Sequence, residues 1–467
     1  MLAINELIHN LQPFRDSSGW VATYSTVGDI DTNSAFFQPL GTNGRSCVTC
    51  HQFDQALGLQ ATHVQKLWAQ TKGTDPLFEA VDGANCPDAK PGDAAAHSLM
   101  LKNGLVRVGI VLPETVEFDL KVVHDPYHCA IMTDPDTGRR IVSIYRRPLP
   151  GAGLPFLSAV MWDGRETVAP LTDEKTFREN LMIDLKHQAM DAVMGHAQGK
   201  QPPTDQQLTE IANLEAAFFT AQIADDAAGL LQSGDARGGP LPLSQQKYYP
   251  GINDSLGSDP HGLKFNPNVF KLYSNWAHTE GDSKIAERRR SIAAGEKIFN
   301  TAPLKISGVR GLNDNQGLGY PPLINGTCTT CHDTPNVGNH SMPLPLDIAT
   351  SHDIVAEPQP FIAAALRHLD LPDMPIYLIT NCPDPQNPAR KLQFYTSDPG
   401  KGLITGKCSD VNRIKGPILR GLAARAPYFH NGAAADLNQL VNFYNLRFQM
   451  NLTDVQKRDL VAFLSAL

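Results

Sequence analysis

The spacing of hydrophobic positions changes several times along these 467 residues, and each change marks an element. Residues 59–71 carry apolar side chains at helical spacing and lead into a Gly/Pro/Asp-rich stretch at 82–95. Residues 105–112 form a short apolar run with β-branched members. Residues 116–122 alternate apolar and polar with period two, and 141–145 follow a turn-rich stretch at 134–138. These three segments predict a small antiparallel sheet. Helical patterns return over 181–198 and 205–232, and 233–262, rich in Gly, Pro, Ser and Asp, reads as a linker. Residues 283–299 predict a charged amphipathic helix, followed by a Gly/Pro/Asn loop at 301–326. Near the C-terminus, Thr453-Asp454-Val455-Gln456 has the form of a capping box, with Val455, Leu460, Val461, Phe463 and Leu464 as the apolar face. The pattern predicts a mainly α fold of two domains, 1–235 and 236–467, the first interrupted by a β insertion at about 82–146.

The cysteines supply the chemistry. Cys47-Val48-Thr49-Cys50-His51 and Cys328-Thr329-Thr330-Cys331-His332 both read C-x-x-C-H, the attachment signature of c-type haem. Two thiols add to the haem vinyl groups, and the adjacent histidine meets the iron. Each predicted domain holds one motif, so the expectation is two cytochrome c-like haem domains with two covalent haems c. A zinc site needs paired half-sites close in sequence, and a thioredoxin-like pair needs a β-α-β setting; neither pattern surrounds these motifs. Four cysteines remain, Cys86, Cys129, Cys382 and Cys408. Of the three possible connectivities, local pairing gives Cys86–Cys129 and Cys382–Cys408, which suits an oxidising compartment.

Charge and hydropathy narrow the partners. A net charge of −8 gives no sign of a nucleic-acid or anionic-membrane partner, and no apolar run approaches the length of a membrane span. Met1-Leu2-Ala3-Ile4-Asn5 shows neither a charged region nor an apolar core, so no signal peptide is expected in this sequence. Covalent haem c is normally assembled outside the cytoplasm, which makes a mature periplasmic chain the expectation.

Three further motifs carry a resemblance. Met161-Trp162-Asp163-Gly164-Arg165, Gln188-Ala189, and Ala426-Pro427-Tyr428-Phe429-His430-Asn431-Gly432 together resemble the W-D-G-R, distal Q-A and C-terminal haem elements of the bacterial dihaem cytochrome c peroxidase and MauG superfamily. The resemblance runs from Cys47 to Leu467 and skips 52–140. It implies an oxidoreductase in which hydrogen peroxide reacts at the haem held by His51. Electrons enter at the haem held by His332, from a small redox protein or other donor, and Trp162 relays between the two. Asp163 and Arg165 would fix the local turn. Gln188 would orient peroxide. The glutamate that the peroxidases place shortly after it is missing, which leaves His196 as the proton shuttle and Glu166 as a second candidate. On a helix, positions 188 and 196 lie about 80° apart and can share a pocket.

Opposite His51, the candidates are His97, His124, His128 or an open position. Opposite His332, Tyr444 stands fourteen residues after His430, where the peroxidases carry an axial methionine and MauG a tyrosine; Met450 competes. The family's interdomain calcium is held largely by backbone carbonyls. Its usual asparagine falls near Arg146 or Arg147 here, which argues against the usual site. Two other readings stand beside the peroxidase: MauG-like oxidation of a protein or organic substrate, and a dihaem electron carrier.

Overall fold

Apolar residues four apart, Phe177, Leu181, Leu185, Ala189 and Val193, are the buried ridge of the long helix Phe177–Gly195. The computed structural model in which this helix is seen describes residues 7–467; the stretch Met1–Asn5 lies outside the described residues. A second helix, Asp205–Ala217, starts at a capping box between Thr204 and Gln207 and packs beside the first. In the second half, Lys284–Thr301 crosses Asp454–Ser465, the latter starting at the expected box of Thr453 and Gln456. A Cβ at Gly295 would come within 2.0 Å of the Asp459 carbonyl, so glycine is what permits this crossing. Leu460, Phe463 and Leu464 are buried as expected, whereas Val455 is exposed.

The expectation of a mainly α fold is overturned. The chain is only 30% helical and 18% strand, with ten α-helices and five small sheets among the described residues, a mixed α/β architecture. Two departures stand out. The helix expected over 205–232 stops at Ala217, and Phe218–Asp225 is a strand paired antiparallel with Gly19–Ser25. Phe218, Phe219 and Thr220 suit a pleated surface better than a helix, and Thr220 meets Thr23 across the pair at 2.8 Å. Val106–Val111, Arg140–Arg146 and Ile131–Thr133 form the expected small sheet. Asp119–His124 does not join it. That strand pairs instead with Ile376–Asp384, which in turn pairs with Asn387–Thr396. Leu120, Tyr377 and Ile379 are buried in one cluster with Val142 and Ile144, so the insertion shares its core with a segment some 250 residues downstream.

Both disulfides form as paired locally, Cys86–Cys129 and Cys382–Cys408. The stretch read as a linker, 233–262, contains the short helix Pro240–Ser244 and buries Asp254. No helix among the described residues is long and apolar enough to cross a membrane.

Candidate haem centres

The two C-x-x-C-H motifs fold alike. Each opens with a single 3₁₀ turn, Cys47–Thr49 and Cys328–Thr330. Ser46 and Thr49 cap the first turn reciprocally, and Thr327 and Thr330 cap the second. The fifth residue then donates its N–H to the first carbonyl, His51 to Cys47 at 3.0 Å and His332 to Cys328 at 3.1 Å. His51 Nδ1 lies 3.2 Å from the Leu57 carbonyl and His332 Nδ1 lies 2.6 Å from that of Gly338. An Nδ1–H held in this way leaves Nε2 as the lone-pair donor. Burial lowers both imidazole pKa values, favouring the neutral form that binds iron. Burial also pushes the thiols up, Cys50 to about 11 and Cys328 and Cys331 to about 12, which favours their neutral form.

Each motif opens onto a cavity. The first encloses about 1520 Å³ not filled by protein atoms, part of it open to solvent, and is walled by Cys47, Cys50 and His51. The second encloses about 1360 Å³ and is walled by Cys328, Cys331 and His332. Both linings are mostly apolar, and buried cations stand at the first: Arg146, Arg147 and Lys415. Lys415 has no carboxylate within ion-pair reach among the described residues, and burial pushes its amine down to about 8. Apolar walls, paired thiols and a free imidazole nitrogen fit a haem c in each cavity, and Lys415, on the wall of both, offers a cation to a propionate.

The first cavity brings together two of the sequence-derived candidates. Gln188 and His196, from one helix and its C-cap, both line it. The Gln188 amide has no hydrogen-bond partner among the described residues. His196 Nδ1 is hydrogen-bonded to Asp82, which also binds Arg45. Burial pushes the Asp82 carboxyl up, but His196 and Arg45 outweigh it and hold Asp82 below its ordinary value. Glu166 does not reach the cavity. It is buried against His187, whose Nδ1 is 2.8 Å away, and against Arg165 at 3.5 Å. His97, His124 and His128 are likewise absent from the lining: His97 binds the Asp93 and Phe78 carbonyls, and His124 pairs with Asp373.

Sequence reasoning missed Glu215. It lines the first cavity from the Asp205–Ala217 helix, is 6% exposed, and its Oε2 has no hydrogen-bond partner. Burial raises its carboxyl to about 8, so it is protonated at neutral pH. Its position on an otherwise buried helix face is the one signal the sequence offered.

Tyr444 and Met450 both line the second cavity. Tyr444 sits among Phe429, Phe443 and Phe448, and burial raises its phenol pKa. Met450 is buried with Leu304, Ile306 and Phe448.

Trp162 lines both cavities, as does Lys415. The indole N–H donates to the Arg147 carbonyl at 2.8 Å. The ring lies 6.2 Å from the His430 ring, centre to centre, and the Trp162 carbonyl accepts from Lys415 N–H at 2.8 Å. Asp163 is buried in an ion network. Arg146 binds Asp163 at 2.5 Å and Asp398 at 2.6 and 2.9 Å, and Arg165 lies 3.2 Å from Asp163. The W-D-G-R segment is thereby pinned between the two cavities.

The sequence is similar to parts of known proteins. Over 228 residues, 44% of the chain, the sequence is 30% identical to the protein named cytochrome-c peroxidase IdrP1 of Denitromonas iodatirespirans, 55% of whose length is covered. Over 164 residues it is 29% identical to cytochrome-c peroxidase IdrP2 of the same organism, covering 33% of the chain and 40% of that relative. The chain is similar to cytochrome c peroxidases. It spans about half the length of these curated relatives. No family model matches it.

The calcium implied by the peroxidase resemblance does not fit. The Arg147 guanidinium, 5% exposed, takes the place where its asparagine would fall and donates to five backbone carbonyls. Nη1 reaches Asn103 at 3.0 Å and Gly104 at 3.1 Å, while Nη2 reaches Leu59, Arg425 at 3.2 Å and Ala426 at 3.4 Å. Burial, and to a lesser degree Arg425, lower its pKa to about 9, so it remains charged at neutral pH. The chain supplies its own cation to these carbonyls.

Proposed function

We propose that this chain is a periplasmic dihaem c-type oxidoreductase that reduces hydrogen peroxide at the first cavity and takes in electrons through the second. The observation that carries this reading is Trp162, a buried, oxidisable ring on the wall of both cavities. The two disulfides favour an oxidising compartment, and the similarity to cytochrome-c peroxidases favours peroxide as substrate.

Haem c at each cysteine pair supplies the iron redox chemistry. The chain's residues do the rest. His51 and His332 would hold the irons through Nε2, the ring nitrogen left free by the Nδ1 contacts to Leu57 and Gly338. Gln188 hydrogen-bonds peroxide and orients it. His196, steadied by Asp82, takes the proton from one peroxide oxygen and returns it to the other. Reduction of one peroxide to two waters consumes two protons and two electrons, and Glu215 holds a proton at the same cavity. Electrons from a small redox protein or other donor pass by way of Trp162. Tyr444 at the second cavity favours a second reading, MauG-like oxidation of a protein or organic substrate, because its oxygen, if ionised by a bound iron, would stabilise the ferric state.

Peroxide-dependent oxidation of a reduced small cytochrome by the haem-loaded protein tests the proposal. Turnover is expected, together with a high-spin EPR signal from an open iron in the oxidised protein. Two low-spin, fully ligated haems without turnover would make the chain an electron carrier.

A further inference from the structure

Asp254, Asp333 and His340 meet in the interior, where His340 also lines the second cavity and the two carboxylates lie behind its wall. They are 2%, 0% and 3% exposed, and one ligand atom from each lies within 4.8 Å of the others. His340 Nε2 stands 3.1 Å from Asp333 Oδ2 and 3.7 Å from Asp254 Oδ1. Yet His340 Nε2 and Asp254 Oδ1 are both buried without a hydrogen-bond partner. The imidazole nitrogen is near the carboxylates without being aligned on either. Two ligands of one ion stand in this relation, because each points at a common centre and not at its neighbour. Tetrahedral bonds of about 2.0–2.1 Å place ligand atoms about 3.3 Å apart, close to the spacings seen.

The far side of each group is anchored by backbone. Asp333 Oδ1 accepts from Ser341 N–H at 2.7 Å, and Asp254 Oδ2 accepts from Ser258 N–H at 2.7 Å. Asp333 Oδ2 also accepts from Ser255 N–H at 3.2 Å, which leaves it a lone pair. His340 Nδ1 lies 3.1 Å from the Met342 carbonyl and 3.2 Å from the Met342 N–H. An ion on Nε2 selects the tautomer with the proton on Nδ1, donating to that carbonyl. Two carboxyl groups in so dry a place are neutralised either by protons or by a positive partner.

We propose that Asp254, Asp333 and His340 bind one divalent transition-metal ion, zinc by preference. Two carboxylate oxygens and one imidazole nitrogen suit zinc, with a fourth position for water. They do not suit calcium, which takes six to eight oxygens. Asp333 directly follows His332, so the ion clasps the 249–262 loop to the backbone that carries the second motif's histidine. Its role is to hold that loop and that turn together.

Elemental analysis of the purified haem-loaded protein, after dialysis against metal-free buffer, is expected to show one zinc per chain besides the haem iron. Zinc-edge X-ray absorption is expected to show only nitrogen and oxygen neighbours at about 2.0 Å. Asp254→Asn is expected to lower zinc content at least about tenfold while the haem absorbance is kept. A wild-type protein without zinc that also takes none up on dialysis against it overturns the proposal. So does sulfur scattering near about 2.3 Å, which would put the ion on cysteines, and so does full zinc retention in Asp254→Asn. If that variant does not fold, the wild-type metal content and absorption spectrum decide the matter.

Discussion

At the residue scale, two side chains of the first cavity bear on the proposed proton chemistry, His196 and Glu215. His196 is oriented by Asp82 and has one ring nitrogen left for a substrate. His196→Ala is expected to slow the reaction with peroxide about 10²-fold or more while haem content stays unchanged; stopped-flow mixing checks this, and an unaltered rate would remove His196 from the chemistry. Glu215 holds its proton through burial alone. Its carboxyl sits at about 8 in the folded chain against an ordinary value of 4.5. The folded state therefore prefers the protonated form, so the stability linked to Glu215 is full below about 4.5 and is lost as pH rises through about 8. Glu215→Gln keeps the shape and removes the ionisation. The variant is expected to melt higher than the wild type at pH 8 and equally at pH 4.5, as followed by calorimetry. A parallel pH profile for both proteins would show that Glu215 finds a partner in the loaded cavity.

At the element scale, Arg147 ends the Arg140–Arg146 strand and ties five separate carbonyls, from Leu59 to Ala426, with one planar group. Its own N–H donates to the His430 carbonyl at 2.6 Å, and its own carbonyl holds the Trp162 indole. One residue thus holds both the His430 backbone and the Trp162 ring. Wild-type protein is expected to purify without calcium, and added calcium is expected to leave its melting temperature unchanged. Arg147→Ala strips the carbonyls of their donor and is expected to destabilise the fold by roughly 3–5 kcal/mol, with calcium restoring part of the loss. Stoichiometric calcium in the wild type would contradict this account. The helix and its cap at Thr453 were legible because capping is a matter of residues three apart. The strand Phe218–Asp225 was not, because its partner Gly19–Ser25 lies two hundred residues away and overrides the apolar spacing that reads as a helix.

At the scale of the whole molecule, the two cavities work together only if electrons cross between them. Trp162 lines both cavities, with Lys415 beside it, and is the side chain proposed to carry the electrons. Trp162→Phe retains most of the bulk and loses the easily oxidised indole. Both haems are expected to remain bound in this variant, while electron equilibration between them after peroxide addition slows by at least about tenfold, a change of about 1.4 kcal/mol in the barrier. Rapid-scan spectroscopy reads this directly, and unchanged kinetics would make Trp162 a packing residue. The shared sheet of Asp119–His124, Ile376–Asp384 and Asn387–Thr396 joins segments from both halves of the sequence.

What the sequence determined by itself is the chemistry written in contiguous residues. The two C-x-x-C-H turns, the local disulfides, the Trp162 segment and the pairing of Gln188 with His196 on one helix all depend on spacings of a few to a few dozen positions. Backbone geometry converts such spacings into distances almost without regard to the rest of the fold. Only the tertiary structure decided which strands pair, that Glu166 turns away from the cavity while Glu215 faces it, and that a guanidinium fills the carbonyl cage around Arg147. Those outcomes rest on contacts between residues tens to hundreds of positions apart, where burial and long-range hydrogen bonding outweigh local preference and leave no periodic trace in the chain.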